Sequence, residues 1–239
     1  MFGENQTAVV TGGNRGIGEA IARTLAARKM NLVIAALGDE QNERVAQSIQ
    51  SEFGVRVKTL DVDVSEEVGC RRIFETAIAA FGSIELLVNN VGIWAHGKVA
   101  ESDSDTFDRV MRTNLYSTYW CSREAYSRML ANETSGSEDL RGAIINISSR
   151  AGVAGLAGVG LYCASKHAVM GLTRAMAKEG AEDRIRVAAI CPSLVSKPDG
   201  RFSGPKLIAI EDVTSTLDYL LHLSSAAWPT EIVLERRKS

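Results

Sequence analysis

This sequence has no excess of either charge and no long apolar run. The formal net charge is −2 at pH 7. That gives neither the basic field that draws nucleic acid nor a strong acidic one. No apolar stretch reaches the roughly 20 residues needed to cross a bilayer as a helix. No basic segment followed by a long apolar run stands at the start, so no secretory signal is expected. Cysteine is scarce: Cys70, Cys121, Cys163 and Cys191 are the four present. They share no metal-ligand or redox-pair spacing. They read as buried thiols in a reducing compartment, so a cytoplasmic location and no metal site are expected. Internal repeats and low-complexity tracts are missing as well.

What is present is a regular alternation. Apolar, strand-like runs recur near residues 7–11, 32–37, 56–60, 84–89, 143–148, 186–191 and 231–234. Helical patterns lie between them near 17–29, 40–53, 66–81, 104–131, 160–180 and 211–223. Alternating strand and helix predicts an α/β fold with a parallel sheet covered on both faces. The 239 residues are enough for a substantial core and are read as a single domain, 1–239. The polar segment 132–142 is expected to be an exposed excursion before the fifth strand, away from any site.

Four short motifs carry chemistry. The first run is followed by Thr11-Gly12-Gly13-Asn14-Arg15-Gly16-Ile17-Gly18 and then an amphipathic helix. Strand, glycine turn and helix form the context of a dinucleotide loop, in which bare backbone N–H groups at a helix N-terminus meet a pyrophosphate. A second run ends in Asn89-Asn90-Val91-Gly92, where amides can hold neighbouring loops or a ribose or adenine edge. A third ends in Ser148-Ser149. The fourth motif is Tyr162-Cys163-Ala164-Ser165-Lys166. A spacing of four puts Tyr162 and Lys166 on one helix face. An ammonium beside a phenol is expected to lower the tyrosine pKa from about 10, so that it can pass a proton near neutral pH.

In this order and at these spacings, the four motifs resemble the short-chain dehydrogenase/reductase family over roughly residues 5–234. The resemblance implies a doubly wound, Rossmann-type sheet of about seven strands. It implies reversible hydride transfer between NAD(P)(H) and a carbonyl–alcohol pair, and a homo-oligomer, dimer or tetramer. The partners implied are a small carbonyl or alcohol substrate, with no nucleic acid and no membrane. The family's serine lies thirteen residues before its tyrosine, which selects Ser149 over Ser148. The implied catalytic set is Asn114, Ser149, Tyr162 and Lys166. Tyr162 exchanges the proton, Ser149 bonds the substrate oxygen, Lys166 also bonds the nicotinamide ribose, and Asn114 holds a water linking Lys166 to solvent.

The implied cofactor contacts are Gly12, Asn14, Arg15, Gly16, Ile17 and Gly18 in the loop and Asp63 with Val64 at the adenine. Asp61 is the rival of Asp63. Asn90 and Gly92 are expected at the adenosine ribose. Tyr162 and Lys166 are expected at the nicotinamide end, with Pro192, Ser193 and Val195 at its amide. The sequence departs from the family where Pro-Gly is usual and Pro192-Ser193 stands, and where Thr is usual and Ser196-Lys197 stands. At the end of the second strand Ala36 replaces the acid usual in NAD enzymes, and Leu37 replaces an arginine common in NADP enzymes. Arg15 remains to face a 2′-phosphate, so NADP(H) is favoured over NAD(H).

The pocket is expected to be walled by Trp94, Ala95, His96, Arg150, Leu156, Val159 and Leu194. A short, irregular lid is expected over 196–206, leaving an open cleft for apolar or aromatic carbonyl compounds. The basic C-terminal tail reads as a solvated end. The alternative reading is a catalytically silent nucleotide-binding regulator or redox sensor with the same fold. An epimerase or dehydratase of the extended relatives is a third; the chain is short for the extra substrate domain those usually carry.

Overall fold

Every second residue of each central strand faces the same layer, and both layers are apolar. In β1 (Thr7–Thr11), Ala8 and Val10 face one side and Val9 the other. The same alternation holds in β2 (Asn31–Ala36), β4 (Leu86–Asn89) and β5 (Gly142–Ile147), where Leu32, Ile34, Val88 and Ile145 oppose Val33, Leu87 and Ile144. A strand apolar on both faces must be covered on both, which is the signature of a parallel sheet between helical layers. The remaining strands are β3 (Val57–Asp61), β6 (Ile185–Pro192) and β7 (Glu231–Leu234). All pairings are parallel, in the order β3-β2-β1-β4-β5-β6-β7. This is the architecture expected from the sequence.

The computed structural model describes residues 2–134, 136, 139–196, 204 and 206–236. On one face α1 (Gly16–Ala27), α2 (Asp39–Phe53) and α7 (Ile210–His222) pack through Ile21, Leu25, Val45, Ile49, Leu217 and Leu220. On the other, α3 (Glu67–Phe81), α5 (Ser117–Met129) and α6 (Gly160–Asp183) pack through Ile73, Phe74, Cys121, Met129 and Met176. Each such fully buried aliphatic side chain contributes about 1.5–3 kcal/mol relative to exposure.

The helix expected over 104–131 is interrupted. α4 (Ser104–Met111) gives way to a π-helical segment, Arg112–Tyr116, before α5 resumes. The hydroxyls of Ser117 and Thr118 donate back to the carbonyls of Thr113 and Asn114 at 2.5 and 2.9 Å. Such inserted turns occur often at functional sites. Here the insertion carries Asn114.

The chain leaves β1 for β2 on one side and finds β4 on the other. The order of strands therefore reverses between β1 and β4, and a crevice opens above their C-terminal ends. All four motifs lie at those ends.

Candidate active site

The glycine loop is shaped by its own backbone and by Asn90. Gly12 and Gly16 have φ of 64° and 55°, which an L side chain rarely adopts. Gly18 touches Gly12 so closely that a Cβ would stand 2.0 Å from the Gly12 carbonyl oxygen. The Asn90 amide donates to the carbonyls of Thr11 and Gly12 at 3.1 and 3.2 Å, and its backbone N–H donates to Thr11 Oγ1 at 3.0 Å. Asn90 thus clamps the loop to β4. Asn14 is buried and donates to the Leu37 carbonyl at 2.9 Å, which ties the loop to the end of β2. Arg15 is exposed and stands at the N-cap of α1, which has no side-chain cap. The first-turn N–H groups therefore stay open to an acceptor.

Asp63 is exposed and accepts from the Ser65 N–H at 2.8 Å, while Val64 is buried beneath it. The rival, Asp61, accepts from the Gly38 N–H at 3.0 Å and so fixes the turn into α2. Ala36 ends β2 buried, and Leu37 beyond it is exposed.

A cleft of about 540 Å³ opens across the ends of β4, β5 and β6. Its walls include Ile17, Asn90, Gly92, Ser149, Tyr162, Lys166, Pro192, Ser193 and Val195. Residues from distant parts of the chain thus meet in one hollow. Gly12, Asn14, Arg15, Gly16 and Gly18 continue from it along the β1 end, and Asp63 and Val64 lie beyond β2, past the end of β3. Of the expected wall, Trp94, Arg150, Leu156, Val159 and Leu194 line the cleft, while Ala95 and His96 do not. The lid expected over 196–206 lies largely outside the described residues. Its two ends meet, with the Ser196 N–H donating to the Ile208 carbonyl at 2.8 Å.

The two serines both border the cleft but differ in burial. Ser148 is buried, and its N–H donates to the Ile190 carbonyl at 2.8 Å, which continues the β5–β6 pairing. Ser149 is half-buried, accepts from the Ala151 N–H at 3.1 Å and stands beside the Tyr162 phenol in the cleft wall.

Tyr162 and Lys166 lie on one face of α6, with the ammonium 5.9 Å from the ring centroid. The expected lowering of the tyrosine pKa does not occur. Burial pushes it above its ordinary value, with the Ser149 hydroxyl acting in the opposite sense. Lys166 is turned instead to the Ile147 carbonyl, to which Nζ donates at 3.0 Å, and burial brings its ammonium down to about 8. Gly92 makes room for it, since a Cβ there would stand 3.3 Å from Nζ.

Asn114 is fully buried. Oδ1 accepts from the Ile93 N–H at 2.7 Å, and Nδ2 donates to the Ile93 carbonyl and to Ser165 Oγ, both at 2.9 Å. Both amide hydrogens are consumed by protein, so the side chain acts as a clamp between the segment after β4 and α6.

Sequence reasoning missed three features. Ser165 is buried as the partner of Asn114. A buried polar chain runs from Ser122 through Asn89 and Asn146 to Thr173, with contacts of 2.8–2.9 Å. Its signal was two asparagines at the same depth in neighbouring strands, Asn89 opposite Asn146. The start of the tail is the third feature: its residues are exposed as expected, and 237–239 lie outside the described residues. Glu235 and Arg236 line the cleft, and Glu235 pairs with Arg150 at 2.6 Å. Parallel pairing of β7 with β6 carries the chain end to the same edge as the site. No short-range signal marks this.

The fold and this constellation define a dinucleotide-dependent class, and comparison with known proteins agrees. The chain belongs to the short chain dehydrogenase family, whose profile matches residues 6–201. Meso-2,3-butanediol dehydrogenase of Serratia marcescens is 33% identical over 192 residues, 80% of this chain and 72% of that protein. Carbonyl reductase family member 4 of Danio rerio is 36% identical over 191 residues, 80% of this chain and 76% of that protein. In fold, the chain is similar to L-sorbose reductase from Gluconobacter frateurii, solved with NADPH and L-sorbose. That likeness has a TM-score of 0.88 at 24% identity, over 98% of this chain and 97% of that one. Among the described residues no helix is long and apolar enough to cross a membrane.

Proposed function

We propose that the protein transfers hydride reversibly between a nicotinamide dinucleotide and a carbonyl–alcohol substrate, with Tyr162 as the proton donor and acceptor. The observation that carries this is the meeting of Ser149 and Tyr162 in the wall of one cleft, with buried Lys166 beside them. The chain offers a fitting cradle for the dinucleotide. Gly16 has open space where a Cβ would stand, and the first turn of α1 is uncapped. Gly12, Asn14, Arg15, Gly16, Ile17 and Gly18 would hold the pyrophosphate side, with Asp63 and Val64 at the adenine. Asn90, Gly92, Tyr162, Lys166, Pro192, Ser193 and Val195 would hold the rest. When bound, the nicotinamide supplies or accepts the hydride.

The protein's residues manage the proton and the charge. With its pKa above the ordinary value, Tyr162 holds its proton at neutral pH and can give it to a carbonyl oxygen. Ser149 donates where negative charge develops on that oxygen. Lys166, charged below about pH 8, favours the phenolate left behind. Asn114 is proposed as a positioning residue that sets Ile93 and α6, rather than as the holder of a water. NADP(H) is proposed as the preferred cofactor, from the absent acid at Ala36 and the exposed guanidinium of Arg15. A silent regulator has no observation in its favour, and the relatives are named as dehydrogenases and reductases.

A panel of ketones, aldehydes and alcohols, assayed with each reduced and oxidised nicotinamide, tests the reading. Tyr162→Phe keeps the ring and removes the proton, so turnover should fall on the order of a hundredfold to ten-thousandfold while cofactor affinity stays close to wild type. Retention of more than about a tenth of the activity would remove Tyr162 from its role.

A further inference from the structure

Arg150 follows Ser149 directly and lines the same cleft. Its Nε donates to Glu235 Oε1 at 2.6 Å. Among the described residues, its two terminal amino groups have no partner. The side chain is 28% exposed, and its bond to Glu235 lies at the solvent-facing rim of the cleft. The pair straddles β6, since Arg150 follows β5 and Glu235 follows β7. That places it on the side of Ser149 away from β1 and the glycine loop, in the part of the cleft left to the substrate.

The charge of the cleft points the same way. Among the described residues lining it, Lys166, Arg150 and Arg236 are basic and Glu235 is the one acid. This excess of positive charge occurs in a protein whose net charge is −2. Lys166 is committed to the Ile147 carbonyl, which leaves the arginines to face an incoming anion. A guanidinium takes a carboxylate through two parallel N–H bonds, and the Nε bond to Glu235 leaves other donors of the fork open.

We infer that Arg150 is the specificity residue of this cleft, binding a carboxylate carried by the carbonyl substrate, with Glu235 as its built-in competitor. The inference rests on the hydride-transfer reading above and names its substrate class, carbonyl compounds with an anionic group.

The test compares 4-acetylbenzoate with its methyl ester, each with reduced nicotinamide. Wild type should favour the acid in kcat/KM by about tenfold or more. Arg150→Gln should cut that acid-to-ester ratio by roughly ten- to a hundredfold, mainly through KM. Arg150→Lys should restore part of the ratio, and Glu235→Gln should raise it. A wild-type ratio at or below one, or a ratio unmoved in Arg150→Gln, overturns the inference and leaves the pair as a staple for the tail. If Arg150→Gln does not fold, Glu235→Gln decides: a raised ratio supports the inference and an unchanged one overturns it. Where neither ketone turns over, the panel above decides the hydride reading separately. Calorimetric binding of 4-acetylbenzoate then decides for Arg150, as loss of binding in Arg150→Gln sustains it and equal binding sinks it.

Discussion

Side chains one position apart differ in burial in this site, and side chains from different elements meet. Both serines border the cleft, but Ser148 is buried and paired with β6 through its N–H, while Ser149 is half-buried beside Tyr162. Ser149→Ala should therefore cost about a hundredfold or more in kcat, as loss of a donor at a developing charge does, and Ser148→Ala little. Kinetics of the two variants side by side check the choice, and a reversed ranking would mean that the wrong serine has been assigned. At the other end of the crevice Arg15 stands exposed beside an uncapped helix start. A charge-assisted bond to a phosphate is worth about 1.5–3 kcal/mol. Arg15→Ala should thus weaken NADPH by roughly ten- to a hundredfold and NADH much less, as read by fluorescence titration. Equal losses for both cofactors would remove the basis for an NADP preference.

At the scale of elements, the π-helical insertion between α4 and α5 governs the site's shape. A regular α-helix over the same residues would rotate Asn114 by about 100° per residue of displacement. That would take its amide away from Ile93 and Ser165. With the insertion, three hydrogen bonds lock the segment after β4 against α6, beside Lys166 and Gly92. Asn114→Ala removes all three and leaves the half-buried Ile93 backbone groups without those partners. It should destabilise the protein by about 2–4 kcal/mol, measured by urea unfolding. Tyr162→Phe should change stability far less. If Asn114→Ala is as stable as wild type, the clamp is not what holds this corner.

Over the whole molecule, burial of a charge links the site to stability. Lys166 titrates near pH 8 in the folded protein, against an ordinary 10.5. The unfolded chain therefore binds more protons between these values, and the stability contributed by this group rises with pH through the window. Below pH 8 the cost of burying the ammonium is present in full. Each pH unit between the two values corresponds to about 1.4 kcal/mol. Lys166→Met lacks the titration. The stability of wild type relative to this variant should therefore increase from pH 7 to pH 10, followed by denaturant melts at each pH. A flat difference would mean that the ammonium is not penalised by burial.

The strand and helix pattern, the glycine loop and the Tyr162–Lys166 pair were legible in the sequence, because each depends on periodicity or on spacing within one element. The parallel sheet followed as well, from the alternation of strand and helix along the chain. Local spacing does not specify which elements end side by side. That Glu235 closes on Arg150, that Asn89 meets Asn146, and that Asn114 is consumed as a clamp all follow from strand order and from one inserted helical residue. The direction in which the Tyr162 pKa moves belongs here too. Four residues of separation put the lysine nearby, but the depth of burial and the carbonyl that holds the ammonium are properties of the packed fold. Sequence by itself determined the class of chemistry. Tertiary structure decided which groups are free to take part in it, because burial and partnership are settled between elements and not within them.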